Sequence, residues 1–146
     1  MGYEMQAAIY QRLAIQYGLP AIYVASGNRS STEIFAATVS PTPVVTKSSL
    51  LSGTNLELLE SLSWDQQAQV DYLVLSRASR FLGMSDSTFS WAVALARRAV
   101  GQKGTCGLLE KDESKVKAEK GVALEDELSV IIGKPSKYHF GTRSWP

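Results

Sequence analysis

Large apolar residues fall at two different spacings along this chain, and the switches between them mark its elements. From residue 3 to residue 17, Met5, Ile9, Leu13 and Tyr17 recur at the repeat of one helix face, with Ala8 and Ala14 beside them. Gly18 and Pro20 follow in the order that ends a helix. Ala21-Ile22-Tyr23-Val24-Ala25 is a continuous apolar run rich in β-formers, which suits a buried parallel strand. Ser26 to Thr32 reads as a loop or helix entrance, and residues 33–37 as a short helix broken by Pro41 and Pro43. Val44-Val45-Thr46 reads as a second strand. Residues 48–60 stay ambiguous: Gly53-Thr54-Asn55 is a turn, and Leu56 to Leu59 fits one helical turn. Ser63-Trp64-Asp65-Gln66 is a capping box that opens a helix running to about residue 79, with Val70, Leu73, Val74, Arg77 and Ala78 on one face. Phe81-Leu82-Gly83-Met84 is a short buried strand. A further helix carries Phe89, Trp91, Val93, Leu95 and Ala96 and ends at Arg97 and Arg98, where its own dipole favours cations. A last amphipathic helix is expected over residues 123–132, ended by Gly133-Lys134-Pro135. Helices alternating with short apolar strands define an α/β chain with a parallel sheet.

Composition narrows what such a chain does. Fifteen basic and 14 acidic side chains give a net charge of +1, so no global field recruits nucleic acid or an anionic membrane. One cysteine, Cys106, excludes an internal disulfide, and a single histidine, His139, argues against a histidine-built metal centre. No apolar run reaches the roughly 18–20 residues that span a bilayer. Met1-Gly2-Tyr3-Glu4-Met5 lacks the pattern of a signal peptide. Residues 101–122 are rich in Lys, Glu and Gly and read as a polar mobile segment, with the alternating charges of 111–120 a solvated face. The domain reading is therefore an α/β domain over 1–100, that polar segment, and a C-terminal helix and tail over 123–146. Trp64 and Trp91 sit at helical spacing among apolar neighbours and read as core aromatics, Trp145 as a tail anchor. Cys106 has no histidine base nearby in sequence to make it a nucleophile.

The place with chemistry to offer is the strand-to-helix junction from Met84 to Phe89. In open parallel α/β sheets, ligands bind beyond the carboxyl ends of strands. A helix N-terminus there presents main-chain N–H groups and a positive dipole end, which suit a phosphate. Ser87 and Thr88 add two hydroxyls to the same spot. Ser and Asp are also the usual helix caps, so plain capping by Ser85, Asp86 or Ser87 is the competing reading. Asp71 has a bland reading too, as a helix charge paired with Arg77 or Arg80.

The stretch Val70-Asp71-Tyr72-Leu73-Val74-Leu75-Ser76-Arg77-Ala78-Ser79-Arg80-Phe81-Leu82-Gly83-Met84-Ser85-Asp86-Ser87-Thr88-Phe89-Ser90-Trp91 resembles the last motif of the protein O-fucosyltransferase superfamily, its fungal branch above all. That motif has an Asp opening a helix, small residues before an aromatic, a Gly, and then Ser-Ser/Thr-Phe-Ser. Ile22-Tyr23-Val24-Ala25-Ser26 is similar to the preceding strand of the same family. The resemblance implies part of the C-terminal half of a GT-B fold, a partial Rossmann-like parallel sheet with flanking helices. It implies an inverting, metal-independent glycosyltransferase with GDP-fucose as donor, a protein or glycan acceptor, no further cofactor, and work in the secretory pathway. On this resemblance Ser87, Thr88 and Phe89 hold the donor phosphates and nucleoside, and Asp71 lies near the nucleotide pocket. Ser26 and Asn28 fall near a loop that borders the donor in relatives. The family's His-x-Arg motif has no counterpart here: His139 is followed by Phe140-Gly141-Thr142-Arg143. A chain of this length is at most about half of such an enzyme, a donor-binding part without the acceptor half. A non-catalytic, nucleotide-binding-like remnant or an interaction module of the same fold is the alternative. Uncovered sheet edges in such a part lead to an expectation of self-association.

Overall fold

The computed structural model describes residues 3–84, 87–101, 122–125 and 129–132. The expectations for residues 102–121, Cys106, His139 and Trp145 lie outside them. In chain order the elements are α1 (Tyr3–Gln16), β1 (Ile22–Tyr23), α2 (Arg29–Thr38), β2 (Val44–Val45), α3 (Thr54–Ser61), α4 (Trp64–Arg77), β3 (Phe81–Met84), α5 (Thr88–Gly101), β4 (Val122–Glu125) and β5 (Ser129–Ile132). The chain is thus a mixed helix and strand protein of α/β character. It divides into two compact units, residues 1–74 and 75–146.

In the first unit, α1 ends as its sequence demands. Gly18 adopts φ +60, Leu19 N–H reaches Ala14 O at 2.9 Å, and Gly18 N–H reaches Ile15 O at 3.1 Å. These are the paired bonds of a Schellman ending, and Leu19 then packs on the core. That core gathers Ala7, Ala14, Ile22, Phe35 and Val39, with Tyr10 meeting Phe35 edge-on at 5.5 Å. Gln11 of α1 donates to the carbonyls of Val39 at 3.3 Å and Ser40 at 2.8 Å, satisfying the end of α2. Helix α2 starts earlier than the apolar pattern implied. Asn28 caps it by accepting from Ser31 N–H at 3.0 Å, and Arg29 pairs with Glu33 one turn on at 2.9 Å. Strands β1 and β2 pair in parallel, Ile22 opposite Val44 and Tyr23 opposite Val45. The ambiguous stretch before residue 60 resolves as α3.

Helix α4 opens with the expected capping box. Ser63 N–H donates to Gln66 Oε1 at 2.9 Å, and Gln66 N–H donates to Ser63 Oγ at 3.4 Å. Its inward residues differ from the expected stripe. Asp71 and Leu75 are buried, while Leu73 and Val74 are 44% and 36% exposed. A polar residue occupies the inner face because partners exist for it there, as shown below. Trp91 is buried as expected, but Trp64 is 77% exposed and is no core residue. It stands at the first position of α4, ahead of the turn that packs.

The second unit holds a three-stranded sheet of order β3-β5-β4. Phe81 to Met84 runs parallel to Ser129 to Ile132, and β4 runs antiparallel to β5 with a register shift between Val122 and Leu124. The last amphipathic helix expected over 123–132 is therefore two strands, and the sheet is mixed rather than purely parallel. Val130-Ile131-Ile132 is a continuous β-branched run, and β3 needs a partner for its main-chain groups. Helix α5 lies on β3 and β5. Arg97 also departs from expectation. It is buried and donates to the carbonyls of Leu75 at 2.9 Å, Ser76 at 3.2 Å and Ser79 at 3.4 Å, and to Ser129 Oγ at 3.3 Å. The cation thus serves the C-terminal end of α4, not of its own helix.

Gly83 sets how closely α5 approaches the sheet. A Cβ there would meet Ser90 Cβ at 2.6 Å, Ser90 Oγ at 2.8 Å and Phe81 Cε1 at 2.9 Å. Two of these atoms are locked: Ser90 Oγ accepts from Met84 N–H at 3.1 Å, so the side chain has no room to yield. Gly83→Ala is expected to destabilise the protein by about 1–3 kcal/mol, read from the midpoint of denaturant unfolding.

Candidate functional site

Of the residues singled out from sequence, Ser87, Thr88 and Phe89 are consecutive at the start of α5, in the second unit. β3 delivers the chain to this point, and the turn closes with Ser87 N–H on Met84 O at 3.1 Å. Ser87 is the N-cap. Its Oγ accepts from Ser90 N–H at 3.2 Å, and its carbonyl accepts from Trp91 N–H at 3.2 Å. That cap uses the hydroxyl as an acceptor, and the single proton of a serine hydroxyl is a separate donor. Thr88 is exposed and Phe89 half-buried. The junction therefore stands at the carboxyl end of β3, a strand with a parallel neighbour.

Asp71 belongs to the first unit and has a different setting. Tyr23, the last residue of β1, donates its hydroxyl to Asp71 Oδ1 at 2.7 Å. Lys47, two residues beyond β2, places its Nζ 2.6 Å from Asp71 Oδ2. The Lys47 and Asp71 side chains retain only 12% and 8% exposure, so this is a buried ion pair with the second carboxylate oxygen also satisfied. Neither Arg77 nor Arg80 is the partner that sequence spacing offered.

The turn that presents Lys47 is itself braced. Thr46 N–H donates to Ser49 Oγ at 2.7 Å, Ser49 N–H donates to Thr46 Oγ1 at 3.2 Å, and Leu50 N–H reaches Thr46 O at 3.2 Å. Sequence reasoning missed Tyr23 and Lys47. The available signal was a phenol closing one short strand and a lone cation just after the next.

Ser26 and Asn28 hold the loop between β1 and α2: Asn28 N–H donates to Ser26 Oγ at 3.0 Å, while the Asn28 side chain caps α2. Among the described residues, no group of three or more His, Cys, Asp or Glu side chains is arranged to hold a metal ion. No helix among them is long and apolar enough to cross a membrane. Compared with known proteins, the chain matches no protein-family model, no curated protein and no solved structure.

Burial pushes the Tyr10 hydroxyl up from 10.0 to about 12. Burial first, and then the hydrogen bond to Asp71 and its negative charge, raise Tyr23 well above the ordinary phenol range. The Lys47 main-chain N–H acts weakly the other way. Both folded-state values exceed the unfolded one, so the native state holds these protons more tightly. The stability they contribute is complete below pH 10 and is lost as pH rises through the folded values. Denaturant unfolding at stepped alkaline pH should show that fall, and Tyr23→Phe should make it shallower while lowering stability at neutral pH.

Removing one member of the ion pair leaves the other buried and uncompensated. Asp71→Ala is expected to cost about 3–5 kcal/mol. Asp71→Leu combined with Lys47→Met should recover most of that loss, measured by the same unfolding experiment.

Proposed function

We propose that this chain is the donor-binding part of a nucleotide-sugar glycosyltransferase that takes GDP-fucose and serves fucosyl transfer to a protein or glycan acceptor. The observation that carries the reading is the junction from β3 to α5. A strand in a parallel pair ends in a turn whose cap, Ser87, begins a helix, and the exposed Thr88 follows it. The same residues carry the resemblance to the Ser-Thr-Phe motif of the protein O-fucosyltransferases. The partial Rossmann-like sheet and the GT-B half-fold are part of this proposal.

The chemistry asked of the junction is modest. Fucosyl transfer sends away a nucleoside diphosphate, and charge builds on its phosphate oxygens as the sugar departs. Main-chain N–H groups at a helix N-terminus lower the energy of that charge without moving. The Ser87 proton and the Thr88 hydroxyl add donors at the same end. Asp71 contributes in this reading through its hold on Tyr23 and Lys47, since both of its oxygens are already bonded within the protein.

A second reading, a non-catalytic module of the same fold, draws on a specific observation. Ser87 and Asp71 each have a structural task, one as a helix cap and one as the anion of a buried pair.

Calorimetric titration with GDP tests the proposed donor cradle. The donor-binding reading expects saturable binding, weakened about tenfold or more by Thr88→Ala and by Ser87→Gly, the loss of a hydrogen bond to a charged group. Gly is chosen at position 87 because it costs a helix cap only a few tenths of a kcal/mol. Absence of GDP binding, or affinity unchanged in both variants, supports the non-catalytic module.

A further inference from the structure

The loop between β1 and α2 carries a feature distinct from the β3–α5 junction. Asn28-Arg29-Ser30 has the spacing of an N-glycosylation acceptor, Asn-x-Ser with x other than proline, and the chain's other asparagine, in Asn55-Leu56-Glu57, does not. Asn28 is exposed, as are Arg29 and Ser30. Its amide is already divided between two atoms. Oδ1 accepts from Ser31 N–H at 3.0 Å to cap α2, which leaves Nδ2 as the atom to be substituted. An N-linked sugar keeps the amide carbonyl, so the cap survives the modification.

A second observation stands beside the first. Trp64 is 77% exposed, the most exposed of the large apolar side chains among the described residues. A side-chain carbon built on Gly27, the residue before Asn28, would sit 3.8 Å from Trp64 Nε1. An exposed indole thus stands in water beside the residue that precedes the acceptor. A pyranose ring has an apolar C–H face, and an indole is a flat surface that such a face covers.

We propose that Asn28 is an N-glycan acceptor and that Trp64 packs against the first sugar. In the transfer, the Asn28 Nδ2 bonds to C1 of the reducing-end N-acetylglucosamine of a lipid-diphosphate-linked oligosaccharide. The bond from C1 to the diphosphate oxygen breaks, the polyprenyl diphosphate leaves, and one Nδ2 proton departs with it. No oxidation or reduction occurs. The proposal is independent of GDP binding, and it assigns the chain a passage through the lumen where that lipid-linked donor is found.

The test is peptide mass analysis of the protein isolated from the cells that make it, before and after treatment with an amide-cleaving N-glycosidase. The expected result is a glycan on the peptide containing Asn28, absent in Asn28→Gln and Ser30→Ala and kept in Ser30→Thr. Ser30→Ala leaves the Asn28 cap in place, so its loss of glycan is not a folding defect. An unmodified Asn28 in the native protein overturns the proposal. Enzymatic removal of the glycan should lower the melting temperature, and that difference should shrink in Trp64→Ala. A difference of the same size in Trp64→Ala overturns the role given to the indole.

Discussion

A carboxylate taken out of water must be met by donors, and Asp71 is met from the end of β1 and from the turn after β2. β1 and β2 contribute only two paired residues each, Ile22 with Val44 and Tyr23 with Val45. Such a ladder is too short to hold itself, so its persistence depends on what grips its ends. Tyr23 closes β1 and Lys47 lies two residues past β2, and a single side chain from α4 binds both. The pair thus ties α4 to both strands through one side chain.

The second unit solves a parallel problem with a cation. Arg97 is buried and faces the carbonyls that close α4 and the hydroxyl of Ser129 on β5. A guanidinium offers five N–H donors in a fixed fork, which lets one side chain reach several carbonyls at a helix end. On the opposite end of α5, Gly83 and Ser90 are in contact because neither has bulk to prevent it. The helix is therefore pinned at its first turn by close approach and near its last by charge on carbonyls. The junction proposed to meet a diphosphate lies at the first of these pins.

Local chemistry was readable from the sequence, and long-range pairing was not. The helix stop at Gly18, the capping box at Ser63 and Gln66, and the strands at Ile22 and Phe81 all follow from neighbouring residues, and each is found. Segment 122–132 failed because Leu124, Val130, Ile131 and Ile132 suit either period over so short a window, and only pairing with β3 selects strands. The inner face of α4 failed for a related reason. An apolar count places Leu73 and Val74 inside, but the partners that admit Asp71 lie 48 and 24 positions away in the chain. Trp64 broke the rule that a tryptophan at helical spacing is core, and Arg97 lent its charge to a helix other than its own. Of the four site residues, the run from Ser87 to Phe89 stands where a strand feeds a helix, as its pattern indicated. Asp71 occupies a setting no local pattern encodes.

The Lys47 ammonium has a bearing on where this chain tolerates shortening. The exposed stretch around Ser61 and Ser63, between α3 and α4, invites a truncation. A fragment ending there keeps both strands and their apolar contacts, yet it discards the anion that neutralises a cation already enclosed by its neighbours. Such a fragment must open the turn at Thr46 to wet the lysine. Residues 64–74 are therefore as much part of the first unit as the helices that line its interior.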